Sequence, residues 1–415
     1  MTSRQEKSGR AQPWRRRGLS FRSGPFRRLY AARTASQWGD TFNVVAIVIL
    51  VYRLSGSGLS VAATVVFEIV PVLALGFVAG AVVDRAPRIA VMVGADLARA
   101  VVAGVLAVFG HQLWVIYAAA FSMSAFTVFF NPAAASVLPA VAGDDLLGAN
   151  SVIWSTAVVS QIALAPLAGV LVAAAGAGPA FGINAVSFLV SASLLAGIRV
   201  PHNPAPAARR RLGDIADGFA YLRASRFLRT LAAVQGIAAL SAGATSALLV
   251  VLAERHLHLG AGRFGVLLGA IGIGAGVGPF LLRRVTRNVS RPALVFGPYL
   301  LRGLVDLCLA AFSSFAGALV GLAAYGIGTS TGNVTYQTTL QTVVPDDRRG
   351  RVFAFYDVVW QTGRLASIGV GGVLADTLGI AAVYYLGGAL LLVAATVGLT
   401  RLRTDDLHLP GDAKP

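Results

Sequence analysis

The sequence predicts an all-α polytopic membrane protein, with twelve transmembrane helices in two pseudo-symmetric six-helix bundles. Three observations carry that expectation. Of the 415 residues, 56% are hydrophobic and only 13% charged, and the mean hydropathy is +0.71; a soluble domain carries about 25% charged residues. Apolar runs of about 20 residues, each long enough to cross a bilayer core as a helix, recur from Tyr30 to Thr400. The arginines concentrate in the connections that follow every second run, which is a topology signal.

Taken in order, the apolar runs place spans at 28–54, 60–83, 89–109, 113–138, 149–174 and 180–198, then at 228–253, 262–282, 292–312, 316–342, 352–376 and 379–400. The first has a basic flank like a signal peptide. It is long, contains Asp40 and precedes no small-residue cleavage pattern, so it reads as a retained helix. Residues 1–25 are polar and Arg-rich and read as a disordered cytoplasmic tail, and 404–415 as a second tail. Residues 26–198 and 228–403 form the two bundles. Between them, the loop 199–227 opens with Pro201, Pro204 and Pro206. It continues with Leu212, Ile215, Phe219, Tyr221 and Leu222 among polar residues, a pattern that fits a short amphipathic helix on the membrane surface.

Charge placement sets the orientation. Arg15, Arg16, Arg17, Arg27 and Arg28 precede the first span, Arg85 and Arg88 follow the second, and Arg199, Arg209, Arg210 and Arg211 follow the sixth. Arg283, Arg284, Arg287 and Arg291, then Arg348, Arg349 and Arg351, then Arg401 and Arg403 continue the alternation. The connections on the other side are nearly free of cations, with Arg255 and Arg263 as the exception. Both termini are therefore expected in the cytoplasm of a cell with the protein in its inner (plasma) membrane. The net charge of +17 belongs to this pattern rather than to a nucleic-acid partner.

The two halves repeat one another. Leu138-Pro139 and Val344-Pro345, Asp144-Asp145 and Asp346-Asp347, Gly148 and Gly350, and Arg99 and Arg302 are each about 200 residues apart, as internal duplication of a six-helix unit produces.

No G-x-x-x-x-G-K-[ST] run is present. Cys308, the single cysteine, lies in an apolar span, and His256 and His258 have no evident third ligand. No catalytic constellation, metal site or cofactor is expected. What stands out instead is charge inside the spans, which costs several kcal/mol unless paired or hydrated. Asp40 and Glu68 lie about midway along the first and second spans. Burial favours the protonated form of a carboxylate, so either could exchange a proton; each could equally be a fixed hydrogen-bond acceptor, Asp40 beside Ser36 or Asn43. Asp96 and Arg99, three apart, and Arg302 and Asp306, four apart, have the spacing of intrahelical ion pairs. Asp357, Gln361 and Arg364 share one helical face, and Asp357 is a third proton-coupling candidate. The glycines from Gly272 to Gly278 follow no strand and read as a close helix contact.

The run Gly80-Ala81-Val82-Val83-Asp84-Arg85-Ala86-Pro87-Arg88 resembles the cytoplasmic loop signature of the major facilitator superfamily, with Pro87 where the family usually has Gly. Ser36-Gln37-Trp38-Gly39-Asp40 resembles the first helix of its drug-exporter branches. Asn131-Pro132, Gly148-Ala149-Asn150, Asn184 to Phe188, Gln337 to Gln341 and Val344 to Val352 are similar to the branch containing enterobactin and macrolide exporters. The resemblance implies that Gly80, Asp84, Arg85 and Arg88 form a gating motif, with Asp84 capping the eleventh helix near Arg351 when the cavity opens outward. It also implies that helices 1, 2, 4, 5, 7, 8, 10 and 11 surround the cavity. Polar candidates to line it are Asn131, Gln161, Gln235, Tyr336, Gln337, Gln361 and Arg364, with Phe126, Phe130 and Trp360 to stack on a substrate. The expected function is export of an amphipathic small molecule (drug, antibiotic or siderophore-like) by alternating access against protons. A facilitator, an importer or a non-transporting receptor are the alternatives.

Overall fold

A computed structural model describes residues 23–142, 146–200, 223, 225–285, 291–344 and 346–401. The expected surface helix in 199–227 falls almost wholly outside them, as do both tails. Among the described residues, twelve long helices follow one another: α1 (Gly24–Ser55), α2 (Gly58–Arg85), α3 (Arg88–Phe109), α4 (Leu113–Ala142), α5 (Leu146–Ala175), α6 (Gly178–Ala196), α7 (Arg226–Ala247), α8 (Ala261–Val285), α9 (Arg291–Ala311), α10 (Phe315–Val343), α11 (Asp346–Thr377) and α12 (Ile380–Arg401). Among the described residues there is no strand.

The helix ends follow from local chemistry. Ser23 caps α1 by accepting from the Phe26 amide, with Pro25 in the first turn, and Gly56 at φ 60° ends it in the left-handed conformation. Pro87 holds Ala86 extended and so separates α2 from α3. The second span, expected to end at 83, thus stays helical to Arg85, and the connection before α3 is only two residues long. The Leu138-Pro139 pair does not close the fourth span either, because α4 carries Pro132 and Pro139 inside it and runs on to Ala142. The seventh span is interrupted at Leu248, then continues through Leu249–Val251 and a π-helical turn at Leu252–His256.

Neighbours repeat between the halves. Helices α1–α6, α1–α5, α2–α4, α3–α4 and α3–α6 pack together, and so do α7–α12, α7–α11, α8–α10, α9–α10 and α9–α12. Across the halves, the extensive contacts are α5 with α8 and α2 with α11. This is the arrangement that a pseudo-two-fold axis imposes.

Large apolar side chains face outward, among them Val101 (67% exposed), Phe280 (70%) and Val320 (71%). A water-facing surface could not carry so many, whereas lipid accepts them. Ten of the twelve helices are long and apolar enough to cross a membrane. The other two, α10 and α11, fall short. Ser, Thr, Asn and Gln fill the second half of α10, and α11 carries Asp346, Asp347, Asp357 and Arg364.

Candidate functional site

In the N-terminal half, charge gathers between α1, α3 and α6. Arg99 and Asp96 form a buried ion pair, the second Asp96 oxygen accepts from Ser191 at 2.6 Å, and the Arg99 guanidinium lies 4.5 Å from the ring centroids of both Phe130 and Phe188. Asp40 is half-buried and within electrostatic reach of both Arg99 and Asp96. Its helix is drawn close by Gly39, where a Cβ would lie 2.0 Å from the Ser187 hydroxyl of α6. No cation lies at helical contact spacing from Asp40 within its own span; tertiary packing supplies Arg99 instead. Two carboxylates therefore share one arginine, leaving one negative charge in excess.

The equivalent site in the C-terminal half is built differently. Arg302 does not close an ion pair with Asp306. Its guanidinium donates to the Tyr325 hydroxyl of α10 at 2.8 Å and stacks 4.7 Å from that ring, so the expected intrahelical pair is corrected. Asp306 Oδ2 is buried without a hydrogen-bond partner, while Arg302 remains within electrostatic reach of it. The cause is the neighbouring helix. A cation facing a tyrosine gains a hydrogen bond and a ring face together.

Beside Arg302 opens a cavity of about 710 Å³, lined from α7, α9, α10 and α11 by Gln235, Tyr299, Asn333, Tyr336, Gln337, Phe353, Tyr356, Asp357 and Trp360, among others. Four of the expected lining residues meet here, Gln235, Tyr336, Gln337 and Trp360, together with the proton-coupling candidate Asp357. Tyr299 donates to Gln235 Oε1 at 2.8 Å, and Tyr336 packs edge-on to Tyr356 with centroids 5.7 Å apart. The Tyr336 hydroxyl lies near the Gln235 amide but completes no hydrogen bond.

Other candidates lie elsewhere. Phe130 is buried in the core of the first half beneath Arg99, with Phe126 packed on the same core. Neither lines the 710 Å³ cavity. Asn131 on α4 and Gln161 on α5 are exposed. Gln361 and Arg364 do not line this cavity, and Arg364 lies within electrostatic reach of Glu68 of α2, across the halves, without closing a direct pair. Arg88 reaches the Ser136 carbonyl at 3.5 Å, Arg85 is exposed, and the side-chain surroundings of Gly80 and Asp84 lie outside what is described.

Sequence reasoning missed a cross-half latch at the end carrying the α1–α2 and α11–α12 connections. Asp376, in the last turn of α11, accepts from the Ser57 hydroxyl at 2.6 Å and from the amides of Gly58 and Leu59 at 2.8 and 3.1 Å. It thereby caps the N-terminus of α2, where the helix dipole favours negative charge. Arg255 completes the latch, 3.3 Å from Asp376, 2.7 Å from the Tyr52 hydroxyl and bonded to the Gly56 carbonyl. The one available signal was that Arg255 broke the charge alternation.

Residues 19–408 match the family described as "Transmembrane secretion effector". The chain is 26% identical over 401 residues to the uncharacterized MFS-type transporter YfiS of Bacillus subtilis, covering 89% of this chain and 91% of that protein. It is 27% identical over 399 residues to the multidrug efflux pump Tap of Mycolicibacterium fortuitum, covering 91% and 96%. Among solved structures, the nucleoside transporter NupG superposes with a TM-score of 0.73 at 10% identity, over 91% of this chain and 98% of that one. A bacterial homologue of the iron transporter ferroportin in its inward-facing state gives 0.70 at 17% identity, over 91% and 98%. The chain belongs to the transmembrane secretion effector family, a group of major facilitator superfamily membrane transporters.

Proposed function

We propose that this protein exports an amphipathic small molecule by alternating access, driven by protons moving inward. In this reading all twelve helices cross the plasma membrane, residues 26–198 and 228–403 rock against one another, and both termini are cytoplasmic. The latch at Asp376 then lies on the outer side, and the chain is closed outward. Asp84, with Gly80, Arg85 and Arg88, plays the opposing part on the inner side.

The observation that carries coupling is the three-charge cluster of Asp40, Asp96 and Arg99. With Asp96 paired to Arg99, the charge of Asp40 is the one in excess, and an uncompensated charge within the membrane is costly. Binding one proton there removes the excess. A proton and a substrate that favour different orientations of the two halves bias the equilibrium in opposite directions. The Tap relative, described as a multidrug efflux pump, supports the exporting direction.

The test uses purified protein in liposomes with trapped pyranine and an imposed pH gradient, supplied with a neutral amphipathic dye. Gradient-driven dye movement with counterflow of protons is expected. Asp40→Asn should reduce uphill movement more than about tenfold, the change that 1.4 kcal/mol makes in an equilibrium, while downhill exchange survives. Dye movement indifferent to the gradient in the wild type would sink the coupling. Full uphill activity in Asp40→Asn would move coupling to Glu68.

A further inference from the structure

We propose that the cavity of the C-terminal half is an organic-cation site, in which Asp357 supplies the counter-charge and the surrounding aromatic rings bind the apolar body. This deepens the exporter reading and rests on it for its biological sense, but the binding itself does not.

Asp96 is paired with Arg99, Glu68 faces Arg364, and Asp306 remains within electrostatic reach of Arg302. Asp40 shares Arg99 and is the excess charge of the first half. Asp357 is the excess charge of the second. It makes no hydrogen bond or ion pair among the described residues, and it is exposed to the cavity rather than packed away. Among the described residues, the one cation lining that space, Arg302, is spent on Tyr325 and is 7% exposed. Arg33 of α1 does not line the cavity.

The walls suit the same ligand. Tyr336, Phe353, Tyr356 and Trp360 line the same space as the carboxylate. A ring face attracts a cation by roughly 0.5–2 kcal/mol, more when water is excluded, and it has no such attraction for an anion. The Tyr336 hydroxyl is a second pointer. Tyr336 is 7% exposed and its hydroxyl lacks a partner, so a polar group of a ligand, or a water held by one, can satisfy it. At about 710 Å³ the space accommodates a drug-sized molecule.

Tetraphenylphosphonium and tetraphenylborate are nearly the same shape and opposite in charge, which makes them the probes. Equilibrium dialysis against the full chain in lipid nanodiscs, with empty nanodiscs subtracted, should give saturable binding of the phosphonium and none of the borate. Asp357→Asn should weaken phosphonium binding at least tenfold, and Asp357→Glu should recover most of it. Saturable borate binding, no saturable phosphonium binding, or equal affinity in Asp357→Asn would each overturn the proposal. Should the variants not fold, the wild type still decides it. Bound phosphonium should protect Asp357 from a water-soluble carbodiimide, read by mass spectrometry, and unchanged modification would refute the site. Proton-driven movement of a neutral dye is unaffected by any of these results, so the two readings fail separately.

Discussion

At the residue scale, the deciding interactions join side chains far apart in sequence. Asp376 and the start of α2 are more than 300 positions apart, and neither looks unusual alone. Asp376 gains meaning because three donors of Ser57, Gly58 and Leu59 converge on it. Asp376→Asn keeps the size but removes the charge that the helix dipole and Arg255 favour. Both partners are partly exposed, so solvent screening limits the loss to about 1–2 kcal/mol. The expected result is a shift of about 5- to 30-fold towards the outward-open form. It would be read as a lengthened spin–spin distance between labels at Gln112 and Ser314 in a Cys308→Ala background. An unchanged distance distribution would reduce the latch to a surface contact. Asp40 shows the same limit of one-dimensional reading: its position was legible, but its partner Arg99 was not.

At the element scale, the glycines of α8 were legible as a contact but not as two contacts. Alternate positions face different helices. A Cβ at Gly265 would lie 2.4 Å from the Ala165 carbonyl oxygen of α5, and one at Gly274 would lie 1.8 Å from the Ala323 carbonyl oxygen of α10. Both oppose backbone, which cannot swing aside. The first joins the two halves and the second holds one half together. Gly274→Ala should therefore cost about 1–3 kcal/mol of stability through overpacking, seen as a lower melting temperature in detergent. Gly276→Ala, whose Cβ would meet Val158 Cγ1 at an ordinary 3.8 Å, should melt like the wild type. Equal melting of the two variants would show that α8 and α10 do not approach this closely.

At the scale of the whole molecule, the helices least like membrane spans are those that matter most. The 710 Å³ cavity draws its carboxylate from α11 and its amides Asn333 and Gln337 from α10. Their polarity, which lowers their apparent fitness to cross a membrane, suits helices that line a cavity rather than face lipid. Whether an even number of helices crosses is tested by labelling. Single cysteines at Gln112, Gly178 and Ser314 in the Cys308→Ala background should react with an impermeant maleimide applied outside intact cells. Those at Pro204 and Thr404 should react only after permeabilisation. Outside labelling at Thr404 would mean an odd number of crossings and would undo the twelve-span topology.

The sequence by itself determined that this is an all-helical membrane protein with two related halves, because hydropathy and arginine alternation are properties of the chain read along its length. It also singled out the charges inside the spans, since each is conspicuous against lipid. Only the tertiary structure decided what those charges do. Arg302 turned from Asp306 to Tyr325, Arg99 came to serve two carboxylates, Phe130 became core, and Asp357 was left facing an aromatic-walled space. The physical reason is that a charge in low dielectric takes the best partner within a few ångströms, and helix packing rather than sequence spacing determines which partner that is.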